Sequence, residues 1–187
     1  MITQVVDLPI LDWIAEHLRC PFLDTIMPPI THLGDAGAVW ILLALALLCL
    51  PKYRKTGMKV ALALALGLLV CNVTLKPLVA RMRPFDYQLL FFGKEIPLLI
   101  PAPTDFSFPS GHTNASFAAA TAVLLCHQKI GIPAMILAAL IAFSRLYLYV
   151  HYPTDVLASM VLGAAVAFLS NDLINKGFTL YHNKQKR

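Results

Sequence analysis

Five apolar runs, each close to the length needed to cross a bilayer and each flanked by polar residues, dictate most of what this chain can become. They span about Leu33 to Leu50, Val60 to Val79, Thr113 to His127, Ile130 to Val150 and Val156 to Leu169. Several fall short of the ~20 residues that a helix needs to cover ~30 Å of hydrocarbon. They reach that length only if the polar residues at one end belong to the helix, which sets those residues at or just below an interface. Stretches such as Ala61–Leu69 (ALALALGLL) favour helix over strand, and a membrane barrel needs shorter, alternating segments. The chain is 58% hydrophobic and only 13% charged, with mean hydropathy +0.70, whereas a soluble domain is about a quarter charged. The expected fold is all-α and integral to the membrane, a bundle of about five transmembrane helices.

Residues 1–31 read differently. Asp7, Asp12, Glu16, His17 and Arg19 interrupt Val5, Val6, Leu8, Ile10, Leu11, Trp13, Ile14 and Leu18. That pattern predicts an N-terminal amphipathic helix lying in the interface, anchored by Trp13, with a break at Pro21 and Pro28-Pro29. A peripheral structural role is expected for it. Residues 32–170 form the membrane-embedded domain, and 171–187 a basic tail. No basic stretch precedes an apolar one at the start, so no cleavable signal peptide is expected.

Charge sets the orientation. Of the fifteen Lys and Arg, Lys52, Arg54, Lys55, Lys59, Lys129, Lys176, Lys184, Lys186 and Arg187 fall on one side of the runs, whereas nine of the ten acidic residues fall on the other. The first side is expected to be cytoplasmic. The net charge of +5 thus reflects topology, and no nucleic-acid partner is expected. Cys20, Cys49, Cys71 and Cys126 include no C-x-x-C pair and predict neither a disulfide framework nor a zinc site. The segment Phe85–Phe108 is too rich in proline for a span and too apolar for a solvated loop, and predicts a flap on the outer interface.

Three polar constellations gather at that outer side. Lys76 and Arg83, before Pro84, are seven residues apart, nearly two helical turns, which would put both cations on one face about 10 Å apart. Pro109-Ser110-Gly111-His112 precedes the third run; Ser110 is a natural N-cap, and the free N–H groups there suit an anion. Ser144-Arg145 and His151 to Asp155 bracket the fourth and fifth runs. Arg145 offers a forked donor to phosphate oxygens. Pro153 is expected to begin the last helix, leaving His151 in a turn from which its Nδ1–H can reach Asp155. Burying such groups near hydrocarbon costs several kcal/mol each unless they are paired or in use. Metal ligation by His112, His151 and Asp155 fits by residue type alone, but three nearby cations favour an oxyanion over a divalent ion.

Lys76-x6-Arg83-Pro84, Pro109-Ser-Gly-His112 and Ser144-Arg145-x5-His151-x3-Asp155 resemble the three-part signature of the type 2 phosphatidic acid phosphatase superfamily, over roughly Val60 to Leu169. The resemblance implies a membrane phosphatase acting on a lipid phosphate or pyrophosphate (undecaprenyl pyrophosphate, phosphatidylglycerophosphate or phosphatidate) at the extracytoplasmic face of the cell membrane. It implies His151 as the nucleophile forming a phosphohistidine, Asp155 orienting it, and His112 as acid and then base. Lys76, Arg83, Ser110, Gly111 and Arg145 would bind phosphate, with no metal or organic cofactor. One departure is Gly111, where compact bacterial undecaprenyl pyrophosphate phosphatases often carry an acidic residue, so the resemblance specifies the reaction more closely than the lipid. Phosphatases of soluble esters such as sugar phosphates share the signature. An ion or proton transporter is the alternative from another class, but it predicts polar residues in mid-span, and these runs carry almost nothing ionisable away from their outer ends.

Overall fold

The computed structural model describes residues 3–185. It is built from nine α-helices: α1 (Leu8–His17), α2 (Pro21–Leu33), α3 (Ala38–Cys49), α4 (Arg54–Gly67), α5 (Lys76–Val79), α6 (Pro84–Phe92), α7 (Gly111–Leu124), α8 (Gln128–Tyr147) and α9 (Pro153–Gln185), with no strand among the described residues. A π-helical stretch, Leu68–Leu75, joins α4 to α5, and the Thr74 hydroxyl donates to the Leu69 carbonyl at 2.9 Å within it. Among the described residues, three stretches are long and apolar enough to cross a membrane: Pro51–Phe92, Gln128–Tyr147 and Pro153–Asn183. Pro21–Leu33 and Asp35–Cys49, bent by 45°, make a fourth if they act as one span.

The third apolar run differs from its neighbours. Helix α7 has 14 residues, about 21 Å at 1.5 Å per residue. It lies inside the bundle, packed on α4, α8 and α9. Ala118, Ala119, Ala120, Ala122 and Val123 are fully buried, and small side chains let the neighbouring backbones approach closely. A Cβ at Gly163 of α9 would stand 2.7 Å from the Asn114 carbonyl and 2.9 Å from the Ala118 amide nitrogen. Because α7 meets protein rather than lipid, it tolerates buried Thr113, Asn114, Ser116 and Thr121.

The N-terminal segment breaks before Pro21, as expected, but does not break at the proline pair, so a second helix, α2, follows α1. Pro28 and Pro29 lie inside α2 instead of ending it. They forgo two helical hydrogen bonds, but Met27 and Thr31 are buried where α2 packs on α8. The break falls between α1 and α2, where the Cys20 amide donates to the Tyr147 hydroxyl at 3.3 Å. Helix α1 buries Leu8 and Leu11 against Tyr149 and Tyr152, leaving Trp13 exposed.

The expected flap starts as a helix, α6, whose Leu89, Leu90, Phe91 and Phe92 are exposed. It then runs irregularly to Ser110. At one end of the bundle Lys59, Thr56, His127 and Asn171 meet, with Lys59 Nζ donating to Asn171 Oδ1 at 2.7 Å and Thr56 Oγ1 3.0 Å from His127 Nε2. The three constellations meet at the other end.

Candidate active site

Three sharp backbone corners surround the site. Ala36 (φ 50°), Ala80 (φ 47°) and Tyr149 (φ 60°) are the non-glycine residues with positive φ among those described, each within two residues of a chemically active side chain. Such conformations cost of order 1–3 kcal/mol and persist where the surroundings hold them. Tyr149 is held by its hydroxyl, which donates to Asp12 Oδ1 at 2.9 Å and accepts from Gln88 Nε2 at 2.8 Å.

Lys76 and Arg83 do reach one place, but not along one helical face. Helix α5 ends at Val79, Ala80 turns left-handed, and Arg83 arrives on a non-helical segment. Both cations close on a residue that spacing did not reveal, Asp105 of the flap. Lys76 Nζ and Arg83 Nη2 donate to its two carboxylate oxygens, and Arg83 Nε donates to its carbonyl at 2.8 Å. Partial burial would raise the Asp105 carboxyl, but the hydrogen bonds and positive charge of Lys76 and Arg83 outweigh it and hold the group at about 2. Arg83 also donates through Nη1 to the Val150 carbonyl at 2.6 Å, with His151 Nε2 3.4 Å from the same nitrogen.

Arg145, 3% exposed, donates to Thr31 Oγ1 at 2.6 Å, while its Nε is buried without a partner. Its carbonyl accepts from the amides of Val150 and His151 at 3.2 and 3.3 Å. One residue thus supplies a cation and braces the turn that carries His151. Pro153 opens α9, and His151 sits in the turn before it. Burial, then the charges of Arg83 and Arg145, lower its proton affinity well below the ordinary imidazole value and keep the ring neutral. Its Nδ1 lies 3.6 Å from Asp155 Oδ2, facing it but beyond hydrogen-bond range. The Asp155 carboxylate is held by Arg81 Nη1, by the Ser107 hydroxyl and by the Tyr152 amide at 3.1 Å.

The second histidine stands across the cavity. His112 Nε2 is 2.9 Å from Asp35 Oδ1, and Asp35 Oδ2 is 2.7 Å from His32 Nδ1. Gly34 makes this approach feasible, since a Cβ there would come within 2.8 Å of His112 Cδ2. Ser110 has another duty: its oxygen accepts from the Thr113 amide at 3.4 Å, capping α7, and its own amide donates to Ser159 Oγ at 2.8 Å. Gly111 and His112, rather than Ser110, line the cavity.

That cavity is about 990 Å³. Lys76, Arg83, Arg145, His112 and His151 form its polar end, and Ile41, Leu64, Ala65 and Leu68 line it as an apolar wall between α3 and α4. Among the described residues no group of three or more His, Cys, Asp or Glu is arranged to hold a metal. An unpaired buried guanidinium nitrogen, a buried histidine and clustered cations have the chemistry to receive a tetrahedral oxyanion.

An undecaprenyl-diphosphatase of Sulfolobus acidocaldarius is 35% identical over 140 residues, which is 74% of this chain; the chain spans 65% of that relative's own length. An undecaprenyl-diphosphatase of Bacillus subtilis is 35% identical over 147 residues, covering 79% of this chain and 72% of the relative. The crystal structure of a transmembrane PAP2-type phosphatidylglycerolphosphate phosphatase from Bacillus subtilis matches with a TM-score of 0.72 at 27% identity, over 93% of this chain and 87% of that one. The sequence model of the PAP2 superfamily matches residues 56–178, a stretch that contains all three constellations, and the chain belongs to that superfamily.

Proposed function

We propose that this protein is a membrane phosphatase that hydrolyses the phosphate or diphosphate ester of a membrane lipid, without a metal, at the extracytoplasmic face of the cell membrane. The observation that carries the reading is the cavity itself, which joins a phosphate-sized cation cluster to an apolar wall where Leu68 is 59% exposed. A lipid tail fits the wall and a phosphate fits the cluster. The extracytoplasmic placement rests on the basic residues at the opposite end of the bundle.

In this reading phosphoryl oxygens replace the Asp105 carboxylate on Lys76 and Arg83, with Arg145 and the Gly111 amide as further donors. His151 Nε2 attacks phosphorus, the bond to the lipid oxygen (or to the lipid phosphate of a diphosphate) breaks, and His112 supplies the proton to that oxygen. Asp155 faces the positive ring of the resulting phosphohistidine. Water then attacks phosphorus while His112 takes its proton, the P–N bond breaks, and inorganic phosphate leaves with His151 neutral again.

The test is a panel of undecaprenyl pyrophosphate, phosphatidylglycerophosphate, phosphatidate and glucose 6-phosphate, assayed with the detergent-purified protein in EDTA. Lipid substrates should turn over fastest and EDTA should have no effect. Faster turnover of the sugar phosphate would replace this reading with a soluble-ester phosphatase. Gly34→Ala should lower kcat about 10- to 100-fold by pushing the His112 ring off Asp35, since a displacement near 1 Å costs about that much; an unchanged kcat would show that the His112–Asp35 contact is dispensable.

A further inference from the structure

The N-terminal turn Thr3–Asp7 precedes the region matched by the superfamily, yet it reaches the catalytic turn. Asp7 is 0% exposed, and each of its oxygens is engaged. Oδ1 accepts from the Thr154 amide at 3.0 Å, and Oδ2 accepts from Thr154 Oγ1 at 2.9 Å and from Arg81 Nη2 at 2.7 Å. Thr154 is the second residue of α9, so its amide is one of the N–H groups a helix leaves open. Asp7 therefore caps, from a distant part of the chain, the helix that carries Asp155.

Arg81 ties the two carboxylates together. Nη1 donates to Asp155 Oδ1 and to Thr154 Oγ1 at 2.8 Å, while Nη2 donates to Asp7 and to Thr3 Oγ1 at 2.9 Å. Its guanidinium carbon sits 3.8 Å over the Tyr152 ring. One planar fork thus spans two fully buried acids and stacks on the residue after His151, which an ammonium cannot do. The groups around Asp155 are Arg81 from the stretch after α5, Ser107 from the flap, His151 and Tyr152 from the turn, and Asp7 across Arg81. With Oδ1 taken by Arg81, Oδ2 is the oxygen that faces His151 Nδ1.

We propose that Arg81 and Asp7 are positioning residues for the phosphoryl transfer, aiming Asp155 at His151, and that the N-terminal turn is therefore part of the catalytic apparatus. The proposal rests on His151 being the nucleophile. Neither residue lines the cavity, so their loss should act on kcat and spare substrate binding. Arg81→Ala should lower kcat about 100-fold with KM within about threefold. Millimolar guanidinium should restore part of that activity, because the Arg81 side chain is 20% exposed and a vacated slot is open to solvent; ammonium should not. Arg81→Lys, which keeps the charge and most of the volume, should remain well below wild type. Asp7→Asn should cost about tenfold alone and little more in the Arg81→Ala background, as expected of coupled residues.

Wild-type kcat in Arg81→Lys and Asp7→Asn, or an Arg81→Ala enzyme whose loss lies in KM and is not rescued by guanidinium, would overturn the positioning role. An active His151→Ala enzyme would instead overturn the underlying mechanism, so the two failures are distinct.

Discussion

His151→Ala is expected to abolish phosphate release, with kcat lowered by about 10⁴-fold or more, as when other enzymes lose the nucleophile of a covalent mechanism. Among the described residues no other imidazole lining the cavity is free to take over. The other imidazoles that line the cavity both contact Asp35: His112 through Nε2 at 2.9 Å and His32 through Nδ1 at 2.7 Å. The fold should survive the substitution, because the turn is held by the backbone bonds of Val150 and His151 to the Arg145 carbonyl and by the Tyr149 hydroxyl. Rapid-quench labelling with a substrate carrying ³²P in the transferred group should show an acid-labile, alkali-stable protein label in the wild type and none in His151→Ala. Retention of the label would move the nucleophile elsewhere.

Arg83→Lys is expected to lower kcat/KM by about 10²- to 10³-fold, the loss typical of removing one donor that faces developing charge. This side chain is 3% exposed and makes three kinds of bond at once: to the Asp105 carbonyl at 2.8 Å, to the Val150 carbonyl at 2.6 Å and to the Asp105 carboxylate. It couples the flap to the residue that precedes His151. A lysine retains the charge but offers a single nitrogen where the guanidinium uses three. Arg54→Lys makes a suitable control. It lies on the opposite end of the bundle, where its Nε donates to the Leu48 carbonyl at 3.2 Å, and it should leave kcat/KM unchanged. A wild-type rate in Arg83→Lys would mean that a positive charge alone suffices at this position.

The apolar runs and the three constellations were legible because each is compact in sequence and its polar residues stand out in an apolar chain. Pro153 as the first residue of α9 was readable from proline's fixed φ alone. The shared position of Lys76 and Arg83 was anticipated for a reason that does not hold, since the helix stops at Val79 and Ala80 redirects the chain. The carboxylates that complete the site were not legible. Asp105 lies 22 residues from Arg83, Asp35 lies 77 from His112, and Asp7 lies 74 from Arg81. Asp105 sits in an irregular segment, Asp35 in a three-residue 3-10 helix and Asp7 at the end of a five-residue π-helix, all too short for periodicity to indicate which way a side chain points. The role of Ser110 was half legible: its cap on α7 follows from residue type, but its hydroxyl meets Thr113 and the residue is not among those lining the cavity. The proline pair in α2 misled because packing on α8 outweighed a local rule.

The grip of Lys76 and Arg83 on Asp105 bears on how the site passes through a catalytic cycle. Bare cations crowded at the edge of hydrocarbon would repel one another and draw in water and counter-ions. The tethered carboxylate of Asp105 offsets part of that charge in the resting enzyme, and in the proposed reading one anion is then traded for a more highly charged one. In that proposed reading, entry of a lipid phosphate is a ligand exchange. Run in reverse, the same exchange would help inorganic phosphate to leave, since the Asp105 carboxylate takes back its place on the two cations as the product departs.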